Sequence, residues 1–265
     1  MCGDSGPRHG RRATVVLLAL WLAGAAVWAA LPTTNVIYRV LRTRGPAGTG
    51  SAFTIELDGR QYLITARHNV KDLAAAGALE LWIGGRWTQA APVRVFYPAN
   101  ETVDIAALDL GRPVTITFPL EPTSAGLTLG QQVYFLGYPF GLSTSGPPGF
   151  GEIPFLKSGI VSAIDARNPE ATLLYVDGQN NPGFSGGPIV FWHAESGGFR
   201  VAGVVSGYRN EPLPVLREKD LRDPGARAYN DLYTRANSGI VVAYDIKHIV
   251  EAIRAANRAS LSSRR

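Results

Sequence analysis
The chain has 265 residues, 46% of them hydrophobic and 18% charged. That is the composition of a folded protein rather than a disordered one, with room for one large or two small globular units. The formal net charge of +5 sits at the ends: residues 1–12 carry +2, residues 251–265 carry +3, and the body between them is neutral, which argues against a nucleic-acid footprint. The single cysteine, Cys2, excludes an internal disulfide and with it the stapled class of small secreted domains.

Residues 13–31 form an uncharged apolar run behind an arginine-bearing start. As a helix rising ~1.5 Å per residue it spans roughly 28 Å, close to the thickness of a bilayer core. Val27-Trp28-Ala29 resembles a cleavage site for a signal peptide, whereas Trp28 near the end of the run suits an interfacial anchor. The reading adopted is an anchor with the body outside the cytoplasm, and removal after residue 29 is the alternative. Arg39, Arg42 and Arg44 follow the run, so flanking charge alone does not set orientation.

Beyond residue 34 the pattern becomes short, strand-like and punctuated by turns. Strands are expected at Asn35–Val40, Ser51–Leu57, Gln61–Thr65, Leu79–Ile83, Ala91–Tyr97 and Ile105–Leu110, with Asp58-Gly59 as a two-residue hairpin. Proline-bearing residues 111–130 read as a connection. A second set follows at Gln132–Leu136, Ser158–Ile164, Leu173–Val176, Pro188–Trp192, Phe199–Val205 and Gly239–Ala243. Asp245 then caps a helix whose Ile246, Ile249, Val250 and Ile253 share one face. Many short strands at even spacing point to barrels or sandwiches. The expected boundaries are an N-terminal segment at 1–34, a first β unit at 35–116, a linker at 117–130, a second β unit with the helix at 131–257, and a basic tail at 258–265. Two segments read as loops: Ser143–Pro154, rich in Gly and Pro, and Arg209–Asn237, long and dense in charges of both signs.

The chemistry converges on Asn181-Pro-Gly-Phe-Ser185-Gly-Gly-Pro188. Glycines let the chain turn sharply, so a serine there can present its hydroxyl while neighbouring N–H groups point at one spot, as an acyl-transfer nucleophile needs. A serine hydroxyl also needs a base. Of the histidines, His68 stands at a strand end in Leu63-Ile-Thr-Ala-Arg-His68-Asn-Val, whereas His9, His193 and His248 lie elsewhere. Asp104, at the start of an apolar strand, needs a partner to hold its charge, and orienting an imidazole is one such role. The same stretch satisfies G-x-S-x-G, so an α/β-hydrolase esterase using Ser185, Asp231 and His248 is an alternative. It requires a helix after Ser185, where Gly187–Trp192 reads as a strand.

The order His, Asp, Ser, within Ile-Thr-Ala-x-His, Asp-Ile-Ala and Gly-x-Ser-Gly-Gly-Pro, resembles the trypsin-like (chymotrypsin-fold) serine proteases. Asp177–Pro188, Gly137–Gly141 and Ser158–Ser162 resemble the bacterial HtrA (Deg) type in particular, and the likeness extends over roughly residues 35–255. It implies a mainly β fold of two antiparallel six-stranded barrels with a C-terminal helix. It also implies that Ser185 is the nucleophile, His68 the general base and then acid, and Asp104 the orienting carboxylate. The oxyanion hole would be the N–H groups of Gly183 and Ser185. Ser206, Gly207 and Tyr208 would pair with an extended polypeptide substrate, and Gln179 would lie near the base of the pocket for the residue before the cut. No cofactor or metal is implied, and the oligomeric state is left open. Phe184 departs from the pattern, standing where Asn or Asp is usual, so the order of the oxyanion hole must come from packing. No PDZ domain follows in this sequence, so PDZ-mediated regulation is not expected. Phe184 and the 209–237 segment also leave room for a latent or purely binding member of the fold.

Overall fold
A computed structural model describes residues 30–46, 48–71, 79–146 and 151–262. Among them no helix is long and apolar enough to cross a membrane. The expected span at 13–31 lies outside the described residues except for its last two positions.

A single helical turn, α1 (Thr34–Ile37), leads into β1 (Val40–Gly45), β2 (Gly48–Leu57) and β3 (Arg60–Thr65). These are followed by β4 (Glu80–Ile83), β5 (Arg86–Gln89), β6 (Arg94–Phe96) and β7 (Ala106–Asp109), which complete a seven-stranded sheet in the order β5-β4-β1-β2-β3-β7-β6. Asp58 and Gly59, at φ 51° and 77°, make the expected tight turn between β2 and β3. The sheet closes over Ala52, Leu63, Val70, Leu79, Leu81, Ala106 and Leu108. The sequence reading missed β5, although Gly84-Gly85 is a hairpin signal of the same kind.

The strand expected at Asn35–Val40 is corrected: Thr34–Ile37 is helical and the strand begins at Val40. Asn35 Oδ1 accepts from Arg39 Nε one turn later (3.0 Å), and Asn35 Nδ2 donates to Pro119 O (3.0 Å). Arg39 is fully buried. Its guanidinium donates to Phe118 O and pairs with Glu56 at 2.6 Å. Read in the sequence as a charge flanking the apolar run, it is an internal tie of the first sheet. Breaking such a pair from one side leaves a buried charge and costs about 3–5 kcal/mol.

The second half contains β8 (Glu121–Pro122), β9 (Gln132–Gly137), β10 (Thr144–Ser145), β11 (Glu152–Ile153) and β12 (Phe155–Asp165). It continues with β13 (Leu173–Asp177), β14 (Pro188–His193), β15 (Gly198–Pro214) and β16 (Tyr233–Asp245). The sheet order is β14-β9-β12-β13-β16-β15-β8, and β14 also pairs with β15. That last pairing closes a ring of six antiparallel strands, with β8 added as a short parallel strand. Val133, Phe135, Val161, Leu174, Val176, Phe184, Phe191 and Val241 fill it. The two-barrel architecture implied by the resemblance is thus the architecture observed.

Both expected loops contain strands. Ser143–Pro154 includes the β10–β11 hairpin. Arg209–Asn237 is largely an arm, since β15 and β16 run on past the barrel and stay paired out to Pro214 and Tyr233. Pro212 and Pro214 hid this in the sequence, because proline is tolerated in a strand only where its missing N–H would face away from the partner.

α2 (Lys247–Ser262) follows, with Asp245 Oδ1 accepting from Lys247 N (2.9 Å) as a cap. Ile246, Ile249, Val250 and Ile253 are buried as expected. The helix returns to the first half, lying against β6 and β7, where Asn257 Nδ2 donates to Tyr62 Oη (3.0 Å). His248, buried at its start, accepts the Thr172 N–H at Nε2 (2.9 Å). Burial pushes its pKa below the ordinary histidine value. The unfolded chain therefore binds a proton that the native state refuses, so stability is full above the unfolded value and falls as pH drops below it. Thermal melts between about pH 7.5 and 5.5 should show Tm falling with pH. The fall should be smaller in His248→Gln, whose side-chain oxygen retains an acceptor for Thr172.

Candidate active site
The serine turn is wedged between the two halves. Gly183 has φ +104°, and a Cβ there would lie 2.2 Å from Tyr138 O. Gly186 has φ +86°, and a Cβ there would lie 2.2 Å from Ser51 O in β2. Positive φ and absent space together require glycine at both places. The first approach is against the second half and the other is against the first, so Ser185 is held where the two meet.

Ser51 is the centre of this contact, and it is fully buried. Its N–H donates to Ser185 O (2.9 Å) and its Oγ to Gly183 O (2.7 Å), while Oγ accepts from Tyr138 N–H (2.9 Å). Thr65 Oγ1 donates to Ser51 O (2.8 Å), and Asn69 Nδ2 reaches both Thr65 Oγ1 and Ser185 O at 3.1 Å. The sequence reading missed Ser51 and Asn69. Their only signals were a small polar residue in Gly48-Thr-Gly-Ser51 and an amide directly after His68.

His68 lies in a 3-10 turn, Arg67–Asn69, directly after β3, and Asp104 lies just before β7. Because β3 and β7 are neighbours in the sheet, the two side chains meet. His68 Nδ1 is 2.7 Å from Asp104 Oδ2, and the His68 backbone N–H donates to Oδ1 (2.9 Å). The Ser206 hydroxyl donates to the same Oδ2 (2.6 Å). Burial pushes the Asp104 carboxyl up, but the His68 ring, the Ser206 hydroxyl and the His68 N–H outweigh it and hold the group below the usual carboxylate range. The Ser185 hydroxyl donates to Ser206 O (3.0 Å) rather than to the His68 ring. Ser206 therefore links the carboxylate and the serine, one through its side chain and the other through its carbonyl.

Two N–H groups on the turn, those of Gly183 and Ser185, donate to no protein acceptor among the described residues. Pro182 O accepts from Phe140 N–H (2.7 Å), and the planar trans peptide turns the Gly183 N–H away from that anchor. Phe184 is wholly buried in the second core, edge-on to Phe135 with ring centroids 5.3 Å apart. Lys157 on β12, also missed from sequence, donates at 2.6 Å to both Gln179 O and Asn181 Oδ1 and lies 5.4 Å from the centre of the Phe184 ring. Burial lowers its pKa.

Gln179 itself is exposed. The neighbouring Asn180 is the buried amide, and it donates to Gly207 O (2.9 Å) and accepts at its own carbonyl from Asn237 Nδ2. Gly207 and Tyr208 continue β15 beyond Ser206, half-buried. The esterase alternative fails on the fold: β14, not a helix, follows the serine turn, and the ring of His248 is committed to Thr172.

The model of the trypsin-like peptidase domain matches residues 49–195, more than half of the chain. The chain belongs to the trypsin-like peptidase family. Over 146 residues it is 32% identical to Protease Do-like 1, chloroplastic, of Arabidopsis thaliana, covering 55% of this chain and 31% of that protein, so it spans about a third of that relative's length. Among solved structures, the active form of the Rv3671c protease from M. tuberculosis superposes with a TM-score of 0.52 at 19% identity, covering 83% of this chain and 81% of that one. The inactive form of that protease gives 0.50 at 18% identity, with 85% and 97% covered. At these identities the likeness is one of fold.

Two substitutions examine how this trypsin-like domain holds its turn. Ser51→Ala leaves the buried Tyr138 N–H without an acceptor, an expected cost of about 1–3 kcal/mol in chemical denaturation. It should also slow labelling of Ser185 by a sulfonyl fluoride, whereas a purely structural Ser51 would lower stability without changing labelling. Phe184→Ala should cost about 3–5 kcal/mol. An unchanged denaturation midpoint would show that the ring is not a core element.

Proposed function
We propose that the protein is a serine endopeptidase cutting extended polypeptide outside the cytoplasm, with Ser185 as nucleophile, His68 as general base and then acid, and Asp104 as the orienting carboxylate. The observation that carries this reading is the chain of contacts from the His68 ring through Asp104 and Ser206 to the Ser185 hydroxyl, beside two unengaged N–H groups. In this reading Ser185 Oγ rotates from Ser206 O to His68 Nε2, which takes its proton as Oγ attacks the scissile carbonyl. Asp104, kept ionised, stabilises the imidazolium that forms. The Gly183 and Ser185 N–H groups receive the oxyanion, His68 returns the proton to the leaving amine, and water repeats the sequence on the acyl-enzyme. Ser206–Tyr208 supplies a strand edge for the substrate backbone, and residues 13–31 would tether the domain to a membrane.

A second reading, a latent or purely binding member of the fold, is favoured by one observation: the Ser185 hydroxyl is turned to Ser206 O. Turnover separates the two. A peptide library should be hydrolysed by the wild type and not by Ser185→Ala, and a sulfonyl fluoride should label Ser185 alone. Binding without turnover or labelling would establish the second reading. Asp104→Asn should lower kcat by on the order of 10⁴ while the protein stays folded. Because His68 must be neutral to act as base, kcat/KM should rise with pH in a single-proton step. A flat profile would remove His68 from that role.

A further inference from the structure
The outer edge of β15 changes character at Ser206. Up to that point it is occupied: β14 pairs with residues 198–204, Val205 N–H donates to Gly187 O (2.9 Å), and Val205 O accepts from Gly186 N–H (2.7 Å). Among the described residues, only the β16 side is paired from Ser206 to Pro214, and residues 209–214 are exposed.

The alternation of backbone groups along a strand tells which of them face the open side. Arg209 O accepts from Ser238 Oγ (2.9 Å), on the β16 side. Val215 is bonded on that side too, its N–H donating to Leu232 O (2.9 Å) and its carbonyl accepting from Tyr229 N–H (2.7 Å). Stepping back by twos from Val215 places Leu213, Glu211 and Arg209 on the β16 side, in agreement with the Arg209 contact. Two register irregularities lie here. An extra residue of β15 at Ser206, between the pairs Val205↔Ala243 and Gly207↔Val242, resets the facing direction after Val205. The other is taken up by Ser238–Ile240 of β16, between Tyr208↔Val241 and Asn210↔Asn237, so β15 keeps its alternation from Ser206 onward. Tyr208, Asn210, Pro212 and Pro214 therefore present their main chain to the open side. The two prolines occupy positions where no rung to β16 is lost. The open edge thus offers a donor and an acceptor at Tyr208 and at Asn210, and beyond them acceptors only.

We infer that the substrate-binding edge extends one rung past Tyr208, to Asn210, and that Pro212 and Pro214 terminate it. This rests on the proposed reading, in which substrate pairs antiparallel with Ser206–Tyr208. In that register Ser206 O faces the residue just before the scissile bond, Tyr208 faces the third and Asn210 the fifth. Pro212 would face the seventh and cannot donate to it. The preferred substrate class is an extended, unfolded segment with five residues before the cut, held at the far rung through its main chain and so tolerant of side-chain identity.

A series of fluorogenic peptides with three, four, five and seven residues before the cut tests this. Two added main-chain hydrogen bonds should raise kcat/KM on the order of tenfold between four and five residues, with a smaller rise at seven, where Pro212 offers an acceptor but no donor. N-methylation of the fifth residue's nitrogen should erase the step, and so should Asn210→Pro. Pro212→Ala, which restores an outward N–H, should make the gain from five to seven residues as large as the gain from four to five. A smooth dependence on length, or a step indifferent to N-methylation, overturns the inference. Fluorescence anisotropy of the same series on Ser185→Ala separates it from the catalytic reading. A binding step at five residues without any wild-type hydrolysis keeps the ladder and removes the enzyme, whereas hydrolysis without the step does the reverse.

Discussion
The site depends on the clamp that Ser51 places on the serine turn. A turn with two residues at large positive φ and two unengaged N–H groups has little local reason to persist, because it gives up regular backbone pairing and gains nothing within itself. It is fixed from outside. Ser51, in the first half, ties down Ser185 O and Gly183 O of the turn together with Tyr138 N–H of the second half, and Asn69 adds a further bond to Ser185 O. Each bond is worth about 1 kcal/mol net, but leaving any one of its buried groups unmet costs more. The clamp is therefore closer to all-or-none than additive, and the relative position of the two halves and the shape of the turn are one constraint.

Electrostatics is layered on that constraint. Asp104 lies at the seam with its charge taken up by a ring nitrogen, a backbone N–H and a hydroxyl. A carboxylate satisfied three ways stays ionised and fixes the ring, leaving the other ring nitrogen as the group able to exchange a proton. Ser206 joins this to the open edge of β15: its hydroxyl serves Asp104 and its carbonyl faces Ser185. In the proposed mechanism, a substrate strand that claims the Ser206 carbonyl releases the Ser185 hydroxyl toward His68. Strand addition and activation of the nucleophile then share one atom.

Much of this was legible in the chain, for identifiable reasons. Strand type and order followed from alternation and turn residues, and His68, Asp104 and Ser185 stood out because each departs from the pattern of its segment: a basic ring at a strand end, a charge opening an apolar run, a hydroxyl among glycines. What stayed hidden is pairwise. Nothing local marks Ser51 as a bridge between halves, or Lys157 as the cation that holds Gln179 and Asn181. Arg39 looked like a membrane-flanking charge until Glu56, 17 residues on, was brought against it. The 209–237 arm was misread for a different reason. Its strand signal is suppressed by two prolines that the register turns outward, and facing direction is a property of the pair of strands, not of either sequence.

Phe184 follows from the same logic. A polar or charged residue at this place, wholly buried, would need a partner to offset its desolvation, and without one the turn would be free to let that side chain seek water. Phenylalanine removes that requirement. The ring joins the core of the second half against Phe135, and Lys157 lies over it while holding Gln179 and Asn181 of the segment that leads into the turn. The turn is thereby made part of a hydrophobic core, so its order tracks the stability of the second barrel rather than the arrival of an external charge. In the proposed mechanism, what such a site can still vary is the rotation of the Ser185 hydroxyl and the occupancy of the β15 edge.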